Sequence, residues 1–445
     1  MLQELQKNKE KTDFYITSVL HVKSWLRSIE SMSVELQRKM QENLLGDLFR
    51  HAWQYSDWWR KRILQAGYIH DLENLSAFSV LDNIAPLLRT DVQEHFESLR
   101  AWRSYWSASD MVTSITSGST GIPVRVEKLR DAYNLVYEAV GLVDHEWHQR
   151  DTTLPLLSLA ADEDSSSPHW GSLFLALQGS GSVMNRYPSS RSSYEHAKWL
   201  MEHRPSYLKA SPLRATEIGE VLLSQGNVLP LRQIISQSER VTPQQREICR
   251  RAFGGAKIVD RYSCEEVGWL AIQCPEHDHL HVMTGTTIIE IVDDHGNPCP
   301  VGVAGRVLVT NLHSFAMPII RYDIGDIAEW GEECDCGIKL PVIRRLLGRK
   351  RNMVRLHDGT LIPMTFLGDY FEDLSVIKEY RLVQQKNGDI DFLVRAELPL
   401  TDNEVFKLRS LVLKVNAQLV VHIREVSSID WGKGMKREEF VRLDE

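Results

Sequence analysis

Residues Thr113–Val126 read TSITSGSTGIPVRV, and the reading of this stretch decides the reading of the whole chain. Thr116, Ser117, Ser119 and Thr120 supply hydroxyls, while Gly118 and Gly121 remove side chains that would block close backbone approach. Such a loop is suited to wrap an anion. Apolar Met111, Val112 and Ile115 before it, and Val124 and Val126 after it, predict a tight glycine-rich turn between two strands. The stretch lacks the Gly-Lys-Ser/Thr ending of a P-loop NTPase, so the charges that balance a phosphate must come from other parts of the sequence.

The chain has 445 residues, which predicts two or three domains with large cores. Hydrophobic content of 43% and charged content of 25% are those of a soluble globular protein. Net charge is −8, from 52 basic and 60 acidic residues, and no basic run is dense enough to track a nucleic-acid backbone. The opening residues, MLQELQKNKEKTDFY, carry no apolar signal core, and no later stretch approaches bilayer length, so the expectation is a cytoplasmic protein without a membrane partner. Trp53, Trp58, Trp59, Trp102 and Trp106 fall at near-helical spacing and are expected to pack a helical core.

The pattern is helical up to about residue 105. Beyond the Ser/Thr/Gly loop, strand and helix alternate: a helix over Asp131–His148, a strand over Leu154–Ala160, a serine-rich loop over Asp162–Gly171, then further strand and helix up to Asp260. This rhythm predicts α/β layers with mainly parallel strands, whose carboxyl ends bind ligands. Thr242, Pro243 and Gln245 mark a capped helix start, and Gly254 with Gly255 a stop. After Glu276 the texture becomes that of an antiparallel β region packed on those layers. A polar, basic crossing at Gly348–Asn352 separates residues 1–351, a large N-terminal domain, from residues 352–445, a small α+β domain. There a helix is expected to open at Thr401 with Glu404 as its capping partner.

Four further motifs accompany the opening loop: ISQSERVT with Ser238 and Glu239, YSCEEVG with Tyr262, Glu265 and Glu266, RYDIGD with Asp323 and Asp326, and LLGRKRNMV with Arg349 and Asn352. In this order they resemble the adenylate-forming superfamily, most closely its phenylacetate-CoA ligase-like branch, from about Tyr55 to the C-terminus. The resemblance implies a mobile C-terminal lid domain and an ATP-dependent, AMP-forming ligase that makes an acyl or aryl adenylate and transfers it to a thiol, coenzyme A foremost. An amine, a carrier-protein thiol or a cofactor hydroxyl is the alternative acceptor, and a non-catalytic nucleotide-binding protein is a third reading.

Residue by residue, the resemblance implies that Ser117, Gly118, Ser119, Thr120 and Gly121 hold ATP phosphates, and that Glu239 and Glu265 line the nucleotide and substrate side. Glu266 would ligate Mg2+, Tyr262 would flank the adenine or the acyl pocket, and Asp326 with Arg349 would hold the ribose. Asn352 stands at the hinge where the family has aspartate. The closing Phe440, Val441 and Arg442 select Lys436 as the catalytic lysine, with Lys433 as runner-up. Three departures stand out: where the family's aromatic-acidic motif has glycine and threonine this chain has Ser263 and Glu265, Val124 occupies a position where many members have lysine, and Asp323 adds negative charge near the nucleotide.

Six cysteines are too few for a disulfide scaffold, but Cys274 with His277, His279 and His281 lies upstream of Cys334 and Cys336. Three thiols and an imidazole suit a closed tetrahedral Zn2+ site. The expected ligands are Cys274, His281, Cys334 and Cys336, with His277 and His279 open as alternatives; the resemblance implies the same structural zinc.

Overall fold

The computed structural model describes residues 2–66, 76–115, 123–161, 163–188, 191–237, 241–349, 353–359, 361–363, 376–430 and 440–443. It bears out the expected α/β class. Contacts divide the chain into two compact units: Met1–Val241, Ile248–Ile324 and Ala328–Leu346 form the first, and Thr242–Glu247, Gly325–Ile327 and Leu347–Glu445 the second.

The first unit opens with the helices Leu2–Ile29, Val34–Tyr55 and Asp57–Gln65. Leu45, Leu48, Phe49 and Ala52 recur at helical spacing and are almost wholly buried, which makes one apolar stripe facing the core. Ser56 does two jobs at the junction. Its backbone N–H donates to Ala52 O, closing one helix, while its hydroxyl accepts from Trp59 N to cap the next. That turn sets Trp59 into the core with no exposure and with its indole N–H on Pro318 O at 3.0 Å. Trp59 therefore fulfils the expectation of a packed core aromatic.

A six-stranded sheet follows, with spatial order Ser165–Ser167, Val183–Asn185, Leu156–Ser158, Tyr207–Ala210, Gln233–Ser236 and Lys257–Val259. Its inner ladders are parallel, as the alternating pattern predicts. The edge strand Ser165–Ser167 is antiparallel and falls inside the stretch expected to be a loop. An exposed edge strand pairs through its backbone on one side only, so three serines serve without any apolar alternation. Thr242 and Gln245 form the predicted reciprocal cap, and Gly254 and Gly255 adopt positive φ after the helix Pro243–Ala252.

The seven-stranded sheet of the β region comprises Arg261–Cys264, Gly268–Gln273, Leu280–Val282, Thr287–Val292, Ala304–Asn311, Tyr322–Trp330 and Val342–Arg349. Its first strands pair antiparallel, Ala271 facing both Tyr262 and Val282.

In the second unit, strands Ile377–Gln384, Ile390–Ala396, Val421–Glu425 and Phe440–Arg442 form one sheet. The helix Asp402–Val415 packs Leu408 and Val412 with Leu382, Phe392 and Val394 in one apolar core. Thr401 and Glu404 make the predicted capping box, and Gly388 turns the hairpin at φ 92°. Among the described residues no helix is long and apolar enough to cross a membrane.

Candidate functional site

The opening loop is carried on a hairpin. Met111–Ile115 pairs antiparallel with Arg125–Leu129, with Ile115 opposite Arg125 and Met111 opposite Leu129. These are the two strands that the sequence predicts around the turn. The tip itself, with Ser117, Gly118, Ser119, Thr120 and Gly121, lies outside the described residues, as do Glu239, Asn352, Lys433 and Lys436.

The hairpin base is fixed by charge on both faces. Glu127 is 5% exposed and accepts from the Arg100 guanidinium through both oxygens, Nε to Oε2 at 2.8 Å. This two-pronged pairing raises the Arg100 pKa above its ordinary value. The neighbouring Lys128, on the opposite face, is also 5% exposed. Its ammonium donates to Glu265 O at 2.6 Å and to Ser114 Oγ at 3.1 Å, and lies 4.0 Å from the centroid of the Tyr133 ring. Burial pushes the Lys128 pKa down, against the raising influence of Cys264, Glu265 and Glu266. The strand Arg125–Leu129 is thereby tied to the acidic motif.

Within that motif, Tyr262 is 4% exposed and belongs to the largest apolar cluster. Glu266 is 8% exposed, and its Oε1 accepts the Tyr322 phenol hydroxyl at 3.0 Å. Burial and then the Glu266 charge push the Tyr322 pKa well above the ordinary tyrosine value, so Tyr322 stays a neutral donor. Glu266 Oε2 has no hydrogen bond among the described residues, which leaves one carboxylate oxygen for a cation.

In the RYDIGD motif, Arg321 is structural: it adopts φ 51°, meets Glu290 at 3.0 Å and donates to Asp82 O and Ile84 O. Asp323 is paired with Arg306 at 2.8 Å. That ion pair corrects the expectation of added negative charge at this position, because the Arg306 guanidinium offsets it locally. In the second unit Asp326 Oδ1 meets Arg349 Nε at 2.9 Å, so the two residues assigned to the ribose are brought together. Gly325 between the two aspartates has φ 77°, the backbone region that favours glycine.

The cysteine and histidine motifs also converge. Cys274 Sγ lies 3.8 Å from Cys334 Sγ, and Cys336 Sγ lies 3.4 Å from His281 Nε2. His281 Nδ1 donates to Leu340 O at 3.1 Å, which turns the Nε2 lone pair toward the thiols. Burial brings its pKa down to about 4, so the imidazole is neutral and able to ligate. The ligand atoms of Cys274, His279, His281 and Cys334 lie within 4.8 Å of one another, so His279 faces the same group. His277 instead sits on Asp335 at 2.7 Å. Of the alternatives that the sequence leaves open, His279 stays a donor near the cluster and His277 has a carboxylate partner.

Sequence reasoning missed Lys128, Tyr133 and Tyr137. Together with Gly268, Trp269, Asn311 and His313 they line a cavity in the first unit, beside the acidic motif. The consecutive charges Glu127 and Lys128 between the apolar Val126 and Leu129 were the available signal, since two adjacent charges in a strand cannot both face water if either face is packed.

No family model matches the chain. A phenylacetate-coenzyme A ligase of Thermus thermophilus is 23% identical over 394 residues, covering 85% of this chain and 84% of that relative. A crystal structure of a 2-hydroxyisobutyryl-CoA ligase in the postadenylation state, with an acyl-AMP bound, superposes with a TM-score of 0.71 at 18% identity, covering 93% of this chain and 91% of the other. An anthranilate-CoA ligase in complex with anthranoyl-AMP superposes with a TM-score of 0.56 at 15% identity over 74% of this chain and 65% of the other. The five motifs thus run, in order, along a chain similar in sequence to a phenylacetate-coenzyme A ligase and similar in fold to acid-CoA ligases that carry an acyl-AMP.

Proposed function

We propose that the protein is an ATP-dependent, AMP-forming carboxylic acid ligase that transfers its acyl group to coenzyme A. The observation that carries this reading is the juxtaposition of hairpin and acidic motif through Lys128 and Glu265, in a chain whose 23%-identical relative is an acid-CoA ligase. In the first half-reaction a carboxylate oxygen attacks the α-phosphorus of ATP, the bond to the bridging oxygen breaks, and pyrophosphate leaves. In the second the thiol sulfur attacks the acyl carbon, loses its proton, and AMP departs.

The hydroxyls and backbone of Ser117, Gly118, Ser119, Thr120 and Gly121 hold the phosphates, and Val124 leaves that task to neutral groups. Glu266, with its Oε2 open and its Oε1 steadied by Tyr322, would hold Mg2+, which offsets charge on the phosphates when bound. Asp326 accepts from the ribose hydroxyls and Arg349 orients that carboxylate. Tyr262, Glu239 and Glu265 border the nucleotide and acid. Lys436 brings a cation to the carboxylate and α-phosphate, and residues 352–445 turn about Asn352 between the half-reactions.

Cys274, His281, Cys334 and Cys336 would hold a structural Zn2+, with His279 as the adjoining donor. We place the protein in the cytoplasm. ATP–pyrophosphate exchange across a panel of carboxylic acids tests the reading: exchange with at least one acid is expected, and its absence with all of them removes the proposal. Lys436→Ala should abolish exchange while preformed acyl-adenylate still yields thioester; equal loss of both steps counts against Lys436.

A further inference from the structure

The cavity beside the acidic motif has a wall that its apolar lining does not explain. Tyr133, Val136, Tyr137 and Val140 come from one face of the helix Arg130–Trp147, and Trp269 closes the far side, with ring centroids 5.6 Å apart for Tyr133 and Tyr137 and 5.7 Å for Tyr137 and Trp269. Gly268 keeps the space open: its φ is 101°, and a Cβ there would stand 3.3 Å from the Tyr133 ring. Lys128 also lines this aromatic pocket, with its ammonium 4.0 Å from the centroid of the Tyr133 ring.

A buried ammonium is costly unless a charge offsets it. Here two of its hydrogens go to neutral oxygens, Glu265 O and Ser114 Oγ, and the Tyr133 ring supplies a third, weaker contact. No carboxylate comes within ion-pair distance of it among the described residues; Glu265 and Glu266 act on it only from further away. Arg100, at the same hairpin base, has Glu127 as its carboxylate. The missing anion at Lys128 is the one that a ligand in the pocket would bring.

We propose that Lys128 binds a carboxylate of the acid substrate and so determines which acids the pocket accepts. This rests on the ligase reading, in which the pocket beside Glu265 and Glu266 takes the acid. Two sources of that carboxylate share the same chemistry: the group that is adenylated, or a second carboxylate on a dicarboxylic acid. The aromatic walls then hold the carbon chain, and Lys128 sets its polar end.

The test is ATP–pyrophosphate exchange by the full chain and by Lys128→Gln, which keeps a donor for Glu265 O, with Lys128→Arg as the charge-conserving control and Lys128→Met should the glutamine variant not fold. Straight-chain monocarboxylic acids are compared with dicarboxylic acids of the same length. The acid KM in Lys128→Gln should rise about tenfold or more while the ATP KM stays within about twofold, and Lys128→Arg should recover most of the loss. A rise confined to dicarboxylic acids assigns Lys128 to the second carboxylate; an equal rise for all acids assigns it to the reacting one. An unchanged acid KM in a neutral variant that still exchanges overturns the inference. If the unaltered chain exchanges with no acid, the ligase reading fails instead, and the inference is judged by melting temperature: a dicarboxylate that stabilises the unaltered chain but not the neutral variant supports it, and no stabilisation overturns it.

Discussion

Tyr322 gives its phenol hydroxyl to Glu266 at 3.0 Å, so the carboxylate assigned to the cation is held by a neutral donor rather than by a positive charge. A cationic partner would compete with a metal ion for that carboxylate; a phenol orients it and leaves its charge available. Tyr322→Phe removes only the hydroxyl. The expected result is a rise in the Mg2+ concentration needed for half-maximal pyrophosphate exchange by about three- to tenfold, with the acid KM unchanged. A Mg2+ titration of the variant checks it.

Asp144 is fully buried between Arg150 and Arg261. Burial acts to raise its pKa, but the two guanidinium groups outweigh it and hold the carboxyl well below the usual range. Asp144→Asn leaves two cations without their counterion. A loss of about 3–5 kcal/mol in unfolding free energy is expected, as for one broken partner of a buried ion pair. Urea unfolding of the variant against the unaltered chain measures it.

His148, beside Asp144, is pushed down to about 4, first by burial and then by the charge of Arg150. Its folded pKa lies below the unfolded value near 6.5, so the unfolded chain takes up a proton that the folded chain refuses. The stability it contributes is complete above about pH 6.5 and is lost as pH falls toward about 4, with a slope near 1.4 kcal/mol per pH unit for this one group. Urea midpoints at pH 7.5, 6 and 5 should fall in that order, and His148→Gln should flatten the dependence.

The cysteine and histidine cluster yields a separate expectation. Metal analysis of purified protein should give close to one zinc per chain, and well below one removes the assignment. Cys334→Ser should lower zinc content and melting temperature, while the exchange rate measured well below that temperature falls by less than about twofold, because a closed site of four protein ligands leaves no position for substrate.

The parts legible in the sequence were those written in short-range chemistry. The reciprocal cap of Thr401 and Glu404 spans three residues, and the strands flanking the Ser/Thr/Gly turn are each marked by local apolar residues. Cys274 and Cys334 were legible for another reason: few arrangements other than metal binding group thiols and imidazoles in this way, and the fold brings them to 3.8 Å. What escaped was pairing across the fold. Nothing near Asp323 announces Arg306, and nothing near Glu127 announces Arg100, although each pair meets in direct ion contact. The edge strand Ser165–Ser167 escaped because its partner supplies the geometry that its own side chains do not encode.

The adjacent charges at the hairpin base also act as a proofreading device during folding. Glu127 and Lys128 point to opposite faces, one toward Arg100 and the other toward the Glu265 carbonyl and Ser114. Sliding the second strand by one residue would set either the Glu127 carboxylate against the Glu265 carbonyl with Val126 facing Arg100, or the Lys128 ammonium against the Arg100 guanidinium with Leu129 facing the Glu265 carbonyl. Misregistered pairing is thus penalised on both faces at once. The strand Arg125–Leu129 thus carries alignment information in its own charged residues.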